Sequence, residues 1–265
     1  MSETLPISVL LLARDERDAL ASLLPALGFA REVVVVWDPR GDPGTAALAR
    51  ARGARVLEHG FDGFGPQRRF ALAHCTQPWV LWVDADERPD PDLVAALTRW
   101  LATDPGSACA RLARRTWFLG RPIRHCGWGD ERVLRLFRRE RASFDDAPVH
   151  ERVQVSGGIA DLEGVLEHHS YETFEVCVEK MNRYARAGAE RAWRAGRRAG
   201  PLALLVRPPL RFARQYLLQL GFLDGARGLL LCGLAAAQVF LKYAWLWERG
   251  RGPAAPAPGA GARPA

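Results

Sequence analysis

Residues 79–87 read Trp-Val-Leu-Trp-Val-Asp-Ala-Asp-Glu. Five apolar residues run without alternation into three acids. An unbroken apolar run suits a strand covered on both faces, the situation of a parallel sheet flanked by helices. Ligands of such sheets bind beyond the carboxyl ends of the strands. The acids Asp84 and Asp86 therefore fall where a ligand is met.

Upstream, the same arrangement repeats. Pro6–Leu12 is a buried-strand run followed by Arg14-Asp15-Glu16, Glu32–Trp37 is a second ending in Asp38, and Ala54–Leu57 is a third. Helical spacing separates them at Asp18–Leu27, Thr45–Arg52, Pro66–His74 and Pro91–Leu101. Strands alternating with helices predict an α/β, Rossmann-like, mostly parallel sheet flanked by helices. From 108 to 170 the runs alternate instead (108–112, 133–137, 153–155), which predicts mixed or antiparallel strands. Residues 173–198 are helical, and 250–265 form a Pro/Gly/Ala tail expected to be disordered.

The 265 residues are 48% hydrophobic and 25% charged, which excludes a mainly disordered chain. No long stretch recurs, so a solenoid is excluded as well. Five widely spaced cysteines form neither a disulfide framework nor a CxxC zinc pattern, favouring a reducing compartment. The first residues lack the basic lead and cleavage site of a signal peptide, so a cytoplasmic location is expected.

The net charge of +7 is unevenly placed. Residues 1–178 hold 22 Lys and Arg against 26 Asp and Glu, whereas 179–227 hold 11 against 3. Within the basic block, Arg207, Arg211 and Arg214 are interleaved with leucines and aromatics at helical spacing. After Gly228 comes an apolar stretch with a Tyr/Trp cluster beside Lys242. Leu229–Leu241 falls short of the roughly 20 residues needed to span a bilayer, and extension to Trp247 gives 19 only by taking in Gln238 and Lys242. The expectation is a segment lying in the membrane interface, against the plainer alternative of a buried C-terminal helix. No nucleic-acid motif accompanies the charge.

The chemistry starts from Asp84 and Asp86. On an extended chain, residues i and i+2 point to one side about 6.6 Å apart, so two carboxylates can share a hard divalent cation. The plainer alternative is a solvated acidic turn before a helix. Asp38 can accept hydrogen bonds from a base or ribose, or simply open a turn. Arg68 and Arg69 lie near a helix start, where phosphate is favoured, or on a solvated face. Asp130 and Glu131 can offer a base to an acceptor hydroxyl, with Trp128 as a stacking wall. Pro148-Val-His150-Glu151 and His168-His169 show no metal-ligand spacing of their own.

Taken in order, PISVLLLARDE, VVVVWD, GFDGFGPQRRFAL, WVLWVDADE, FLGRPIRHCGWGDERVLRLFRR, PVHERV, LEHHSYE and GFLDGARGLLLCGLAAAQVFLKYAWLWE resemble family-2 glycosyltransferases of the GT-A fold. The similarity spans about residues 6–248 and is greatest to the branch that extends lipopolysaccharide core or related envelope glycans. The resemblance implies a domain over 1–172, a helical membrane-docking extension over 173–249 and a tail over 250–265. It implies Asp38 at the nucleotide base, Arg68 near uracil and diphosphate, and Asp84 and Asp86 as the metal and nucleotide-sugar motif with Mg²⁺ or Mn²⁺. Glu131 matches the catalytic base, with Asp130 in reserve.

The implied reaction is inverting transfer from a nucleotide-diphosphate sugar, a UDP-sugar above all, to a glycolipid or lipopolysaccharide-core acceptor at the cytoplasmic face of the inner membrane. A non-catalytic membrane-bound scaffold is the alternative. A nucleotidyltransferase would need a Gly-rich loop after the first strand, and residues 12–16 are not one. Departures from the family pattern gather round the nucleotide. Arg14-Asp15-Glu16 replaces Lys-Asn-Glu, the second acid of the 38–45 loop has moved to Asp42, Gln67-Arg68-Arg69 replaces Gln-Arg-Asn, and Glu131 stands for Asp.

Overall fold

The computed structural model describes residues 4–103, 105–129, 131–145 and 153–251. Its strands are β1 (Leu5–Ala13), β2 (Ala30–Trp37), β3 (Arg55–Glu58), β4 (Trp79–Trp82), β5 (Glu87–Pro89) and β6 (Cys109–Phe118), then β7 (Arg121–Pro122), β8 (Glu131–Arg138), β9 (Ala142–Phe144), β10 (Val153–Val155) and β11 (Ile159–Tyr171). The helices are α1 (Arg17–Leu23), α2 (Pro43–Ala51), α3 (Phe64–His74), α4 (Pro91–Ala102), α5 (Phe174–Arg194), α6 (Pro201–Ala213) and α7 (Gly225–Arg249). One compact unit draws on the chain up to Trp117 and on Trp128–Ser170. A second draws on Phe118–Gly127 and on the chain from Tyr171 onward.

In the first unit the main sheet runs β3-β2-β1-β4-β8-β6-β11-β5. The four apolar runs pair in parallel, β1 with both β2 and β4, and β2 with β3. Their lack of alternation has a visible cause. Val9, Leu11, Val35 and Leu81 face a core closed by Leu20 and Leu23 of α1 and by Leu93 and Leu97 of α4. Leu10, Val34, Val36 and Val80 face the other layer, with Ala71 of α3 and Phe144 of β9. Each of these side chains is buried, and each of the Val, Leu and Phe side chains contributes about 1.5–3 kcal/mol to the folded state.

The sheet is mixed as a whole. Beyond β4 the pairing turns antiparallel, β4 with β8, β8 with β6 and β11 with β5. This reversal positions the site, because the carboxyl end of β4 then lies beside the amino end of β8. Glu131, the first residue of β8, reaches the rim where Asp38 and Asp84 follow β2 and β4.

In the second unit, α5 buries Ala185, Ala189 and Ala192, spaced for one helical face, and packs against α7. Gly188 lies on that side too, where an added Cβ would come 3.2 Å from the Lys242 stem. The apolar stretch begins at 229 as read, and the helix that holds it begins earlier, at Gly225. α7 has 25 residues, about 37 Å of helix, and the most apolar 18-residue window within Gly221–Arg249 has a mean hydropathy of 1.6. By length and composition this helix is long and apolar enough to cross a membrane. Only 17% of its most apolar window is buried.

Candidate active site

Asp38 follows β2 directly, with its side chain turned inward and buried. Arg40, two residues on, donates to both of its oxygens at 2.8 to 3.2 Å and also to the Phe61 carbonyl. The Arg40 hydrogen bonds outweigh burial and hold the Asp38 carboxyl at about 2. The loop then closes on β1. The Trp37 indole donates to the Arg14 carbonyl, and the Asp42 N–H donates to Asp15 at 2.8 Å. Asp42 itself accepts from the Gly44 N–H at 2.8 Å and caps α2. The acid displaced along this loop thus serves as a helix cap in the resting protein.

Asp84 and Asp86 follow β4 in a turn closed by Glu87. The Glu87 N–H donates to the Asp84 carbonyl at 2.9 Å, and the Glu87 carboxylate accepts from the Asp84 N–H at 3.0 Å. Asp84 faces two arginines. Arg135 of β8 donates to Oδ2 at 2.6 Å, Arg68 of α3 to Oδ1 at 3.4 Å, and the Trp82 indole also to Oδ1 at 3.0 Å. Both guanidiniums stack on Trp82, 4.0 and 3.9 Å from the ring centroid. Burial opposes the Asp84 charge, but Arg135 and Arg68 overcome it and keep the group ionised well below the usual carboxylate range. Burial dominates at Arg68 instead, lowering the guanidinium to about 10 against the pull of Asp84.

Arg135 also donates to Glu87 at 2.6 Å, and Arg114 of β6 bridges Glu87 at 3.3 Å to Glu131 at 2.7 Å. The result is a row of alternating charges, Arg68, Asp84, Arg135, Glu87, Arg114 and Glu131, crossing the rim from α3 to β8. Both Arg114 bonds to Glu131 fall on Oε2, and the Glu131 side chain remains 45% exposed. Asp130, the reserve base, and the Pro148–Glu151 stretch lie outside the described residues. Trp128 is partly buried. Arg69 parts company with Arg68 and donates to the carbonyls of Phe144 and Asp145.

Asp86 lies apart from the arginine row. Its Oδ2 is 3.5 Å from His168 Nε2, and the His169 N–H donates to its carbonyl. Burial opposes the Asp86 charge, but His168 and the Ser170 hydroxyl hold the carboxyl below its ordinary value. Among the described residues, no group of three or more His, Cys, Asp or Glu side chains is placed to hold a metal. The pair Asp86 and His168 is nevertheless a fitting donor set. One carboxylate and one imidazole leave the rest of a coordination shell to phosphate oxygens and water, and the imidazole favours Mn²⁺ over Mg²⁺. Asp84, engaged by two arginines, fits a metal less well.

Sequence reading paired the two aspartates on one side, set His168 aside for want of a ligand spacing, and missed Arg135, Arg114 and the part played by Glu87. Their signal is faint. His168 lies 82 positions from Asp86, and Arg135 sits inside an otherwise ordinary alternating strand.

A half-parallel sheet with acids at its carboxyl rim and an antiparallel strand returning beside them is the GT-A-like α/β fold. The description "Glycosyl transferase family 2" matches residues 16–157, just over half of the chain, and the chain belongs to that family. It is 29% identical over 258 residues to the Rhizobium meliloti (strain 1021) protein described as "Lipopolysaccharide core biosynthesis glycosyltransferase LpsC", covering 92% of this chain and 95% of the relative. An uncharacterized glycosyltransferase of Rickettsia typhi is 24% identical over 260 residues, covering 91% of this chain and 87% of that one. Among solved structures, the mannosyltransferase PcManGT from Pyrobaculum calidifontis superposes with a TM-score of 0.52 at 17% identity. That match covers 94% of this chain and 89% of the other, and the likeness is one of fold.

Proposed function

We propose that this family-2 glycosyltransferase is a metal-dependent, inverting enzyme. It moves a sugar from a nucleotide-diphosphate donor, a UDP-sugar above all, to a lipid-linked or lipopolysaccharide-core acceptor at the cytoplasmic face of the membrane. The observation that carries the reading is the gathering of Asp84, Asp86, Arg68 and His168 just beyond β4, on the rim that Asp38 and Glu131 also reach. The acceptor class is supported by the similarity to LpsC, described as a lipopolysaccharide core enzyme. The nucleotide-diphosphate class of donor and the metal are supported by PcManGT, of the same fold, which was solved with GDP-Man and Mn²⁺, while the preference for uridine rests on the match of Asp38 and Arg68 to the family pattern.

In this reading Asp38 receives the nucleotide base, and Arg68 balances the diphosphate charge. Asp86 and His168 hold Mg²⁺ or Mn²⁺, which supplies Lewis-acid neutralisation of the departing diphosphate. Glu131 takes the proton of the acceptor hydroxyl, with Asp130, its neighbour in sequence, as the reserve carboxylate. The acceptor oxygen then forms its bond to the anomeric carbon as the bond to the diphosphate oxygen breaks on the opposite side. Residues 1–172 would carry this chemistry, and residues 173–249 the membrane contact.

Screening nucleotide sugars with and without Mn²⁺ tests the proposal. Turnover should be metal-dependent, and Asp86→Ala should lower it at least about a hundredfold; undiminished turnover in that variant removes the metal role. A non-catalytic scaffold would show no heat of binding on titration with UDP and Mn²⁺.

A further inference from the structure

The second unit turns the usual arrangement of a surface corner inside out. Between α6 and α7 the backbone makes a π turn (Arg214–Leu218), takes a left-handed step at Leu220 (φ 55°) and closes with a 3-10 turn (Gly221–Asp224). Two polar side chains of this corner, Gln215 and Asp224, point inward. Gln215 is buried and donates to the Cys126 carbonyl at 3.1 Å. Asp224 accepts from the N–H groups of Arg124 and His125 at 3.2 and 2.9 Å. The Cys126 N–H donates to the Gln219 carbonyl, and Arg227 to the Leu119 carbonyl. The loop Phe118–Gly127 is thus spent as a bracket for the corner.

The apolar side chains point outward. Leu218 is 80% exposed, and Leu217, Phe222 and Leu223 are exposed beside it. Along α6, Leu202 (72%), Leu205 (73%) and Leu210 continue the surface. In α7 the largest such exposure is 48%, at Leu229. A braced corner with Gln215 and Asp224 turned inside and its leucines in water costs free energy unless something apolar covers it. Charge says what does. Arg211 and Arg214 are exposed on the same segment, and from residue 197 to 247 seven Lys and Arg face one acid, Asp224, which the bracket occupies.

We infer that the corner Leu217–Leu223, with the outer face of α6, is a preformed wedge that inserts into an anionic lipid surface, while α7, in contact with α5 and α6, supports it from behind. This rests on the membrane-face reading above and assigns its contact to a particular element. An amphipathic surface of this kind sits at the headgroup boundary, apolar side chains in the acyl region and arginines against the phosphates.

The test is flotation of the full-length protein with phosphatidylcholine vesicles and with vesicles containing phosphatidylglycerol. Wild type should float with the anionic vesicles, and Leu218→Glu/Leu223→Glu should lower the bound fraction at least about tenfold. Phe240→Glu, an exposed position on α7, should float like wild type. All the changed side chains are exposed, so equal melting temperatures should certify the fold. If the corner variant floats undiminished, or if Phe240→Glu alone abolishes binding, the wedge is refuted and the membrane-face reading stands. Wild type that floats with neither vesicle overturns both. A wild-type dimer that the corner substitutions split, without vesicle binding, would make this face a self-association surface and refute the wedge.

Discussion

Glu87→Ala would take away the shared acceptor of Arg135 and Arg114 together with the acceptor of the Asp84 N–H. Removing one partner of a buried ion pair costs about 3–5 kcal/mol, because the remaining charge stays out of water. Urea unfolding should show a loss of that size, and Glu87→Gln, which keeps the shape and one acceptor, should lose less. Asp38 makes a second prediction. Its carboxyl sits at about 2 when folded, so between the ordinary aspartate range and pH 2 the unfolded chain binds more protons and stability falls as pH falls. In Asp38→Asn that part of the decline should vanish, which unfolding curves at pH 4 and pH 2.5 would reveal. The sequence exposed Asp38, Asp84 and Asp86 because each follows an apolar run. Glu87 was legible only as an acid near a helix start, since nothing local says that it accepts from two arginines on other strands.

Gly41 and Asp42 show how an element can constrain the site. A Cβ at position 41 would overlap the Arg14 carbonyl oxygen, so Gly41→Ala must push the 38–42 loop off the end of β1. The expected outcome is a raised KM for the donor with a smaller change in kcat. Asp42→Ala should cost about 0.5–2 kcal/mol as a lost cap, while Asp42→Asn, which still caps, should stay near wild type in stability and donor KM. A raised donor KM in Asp42→Asn would instead give the acid a nucleotide role. At this scale much was legible. β1 to β4 and α1 to α4 appear where apolar period placed them, because both faces of the sheet are covered by consecutive helices. The antiparallel half was read only as alternating runs. Its strand order depends on pairings between residues as distant as Glu87 and His168, which no local window contains.

For the whole molecule, the uneven charge predicts how salt acts. The basic excess of residues 179–227 should make binding to anionic vesicles fall as salt rises from about 0.1 to 0.5 M, as the Debye length shrinks from about 10 Å. An apolar remainder should persist at the higher salt, and flotation across a salt series measures both parts. Composition made this balance visible, but it concealed which leucines stay uncovered, since helical spacing gives a face and not what lies against it. The bracketing loop has a further consequence, which lies in the order of synthesis. His125 leaves the ribosome 99 residues ahead of the Asp224 that receives its N–H. At about 5–20 residues per second, residues 118–127 wait on the order of 5–20 s for their partners. A nascent chain halted before residue 224 should therefore leave this loop open to protease, and release of the finished chain should close it.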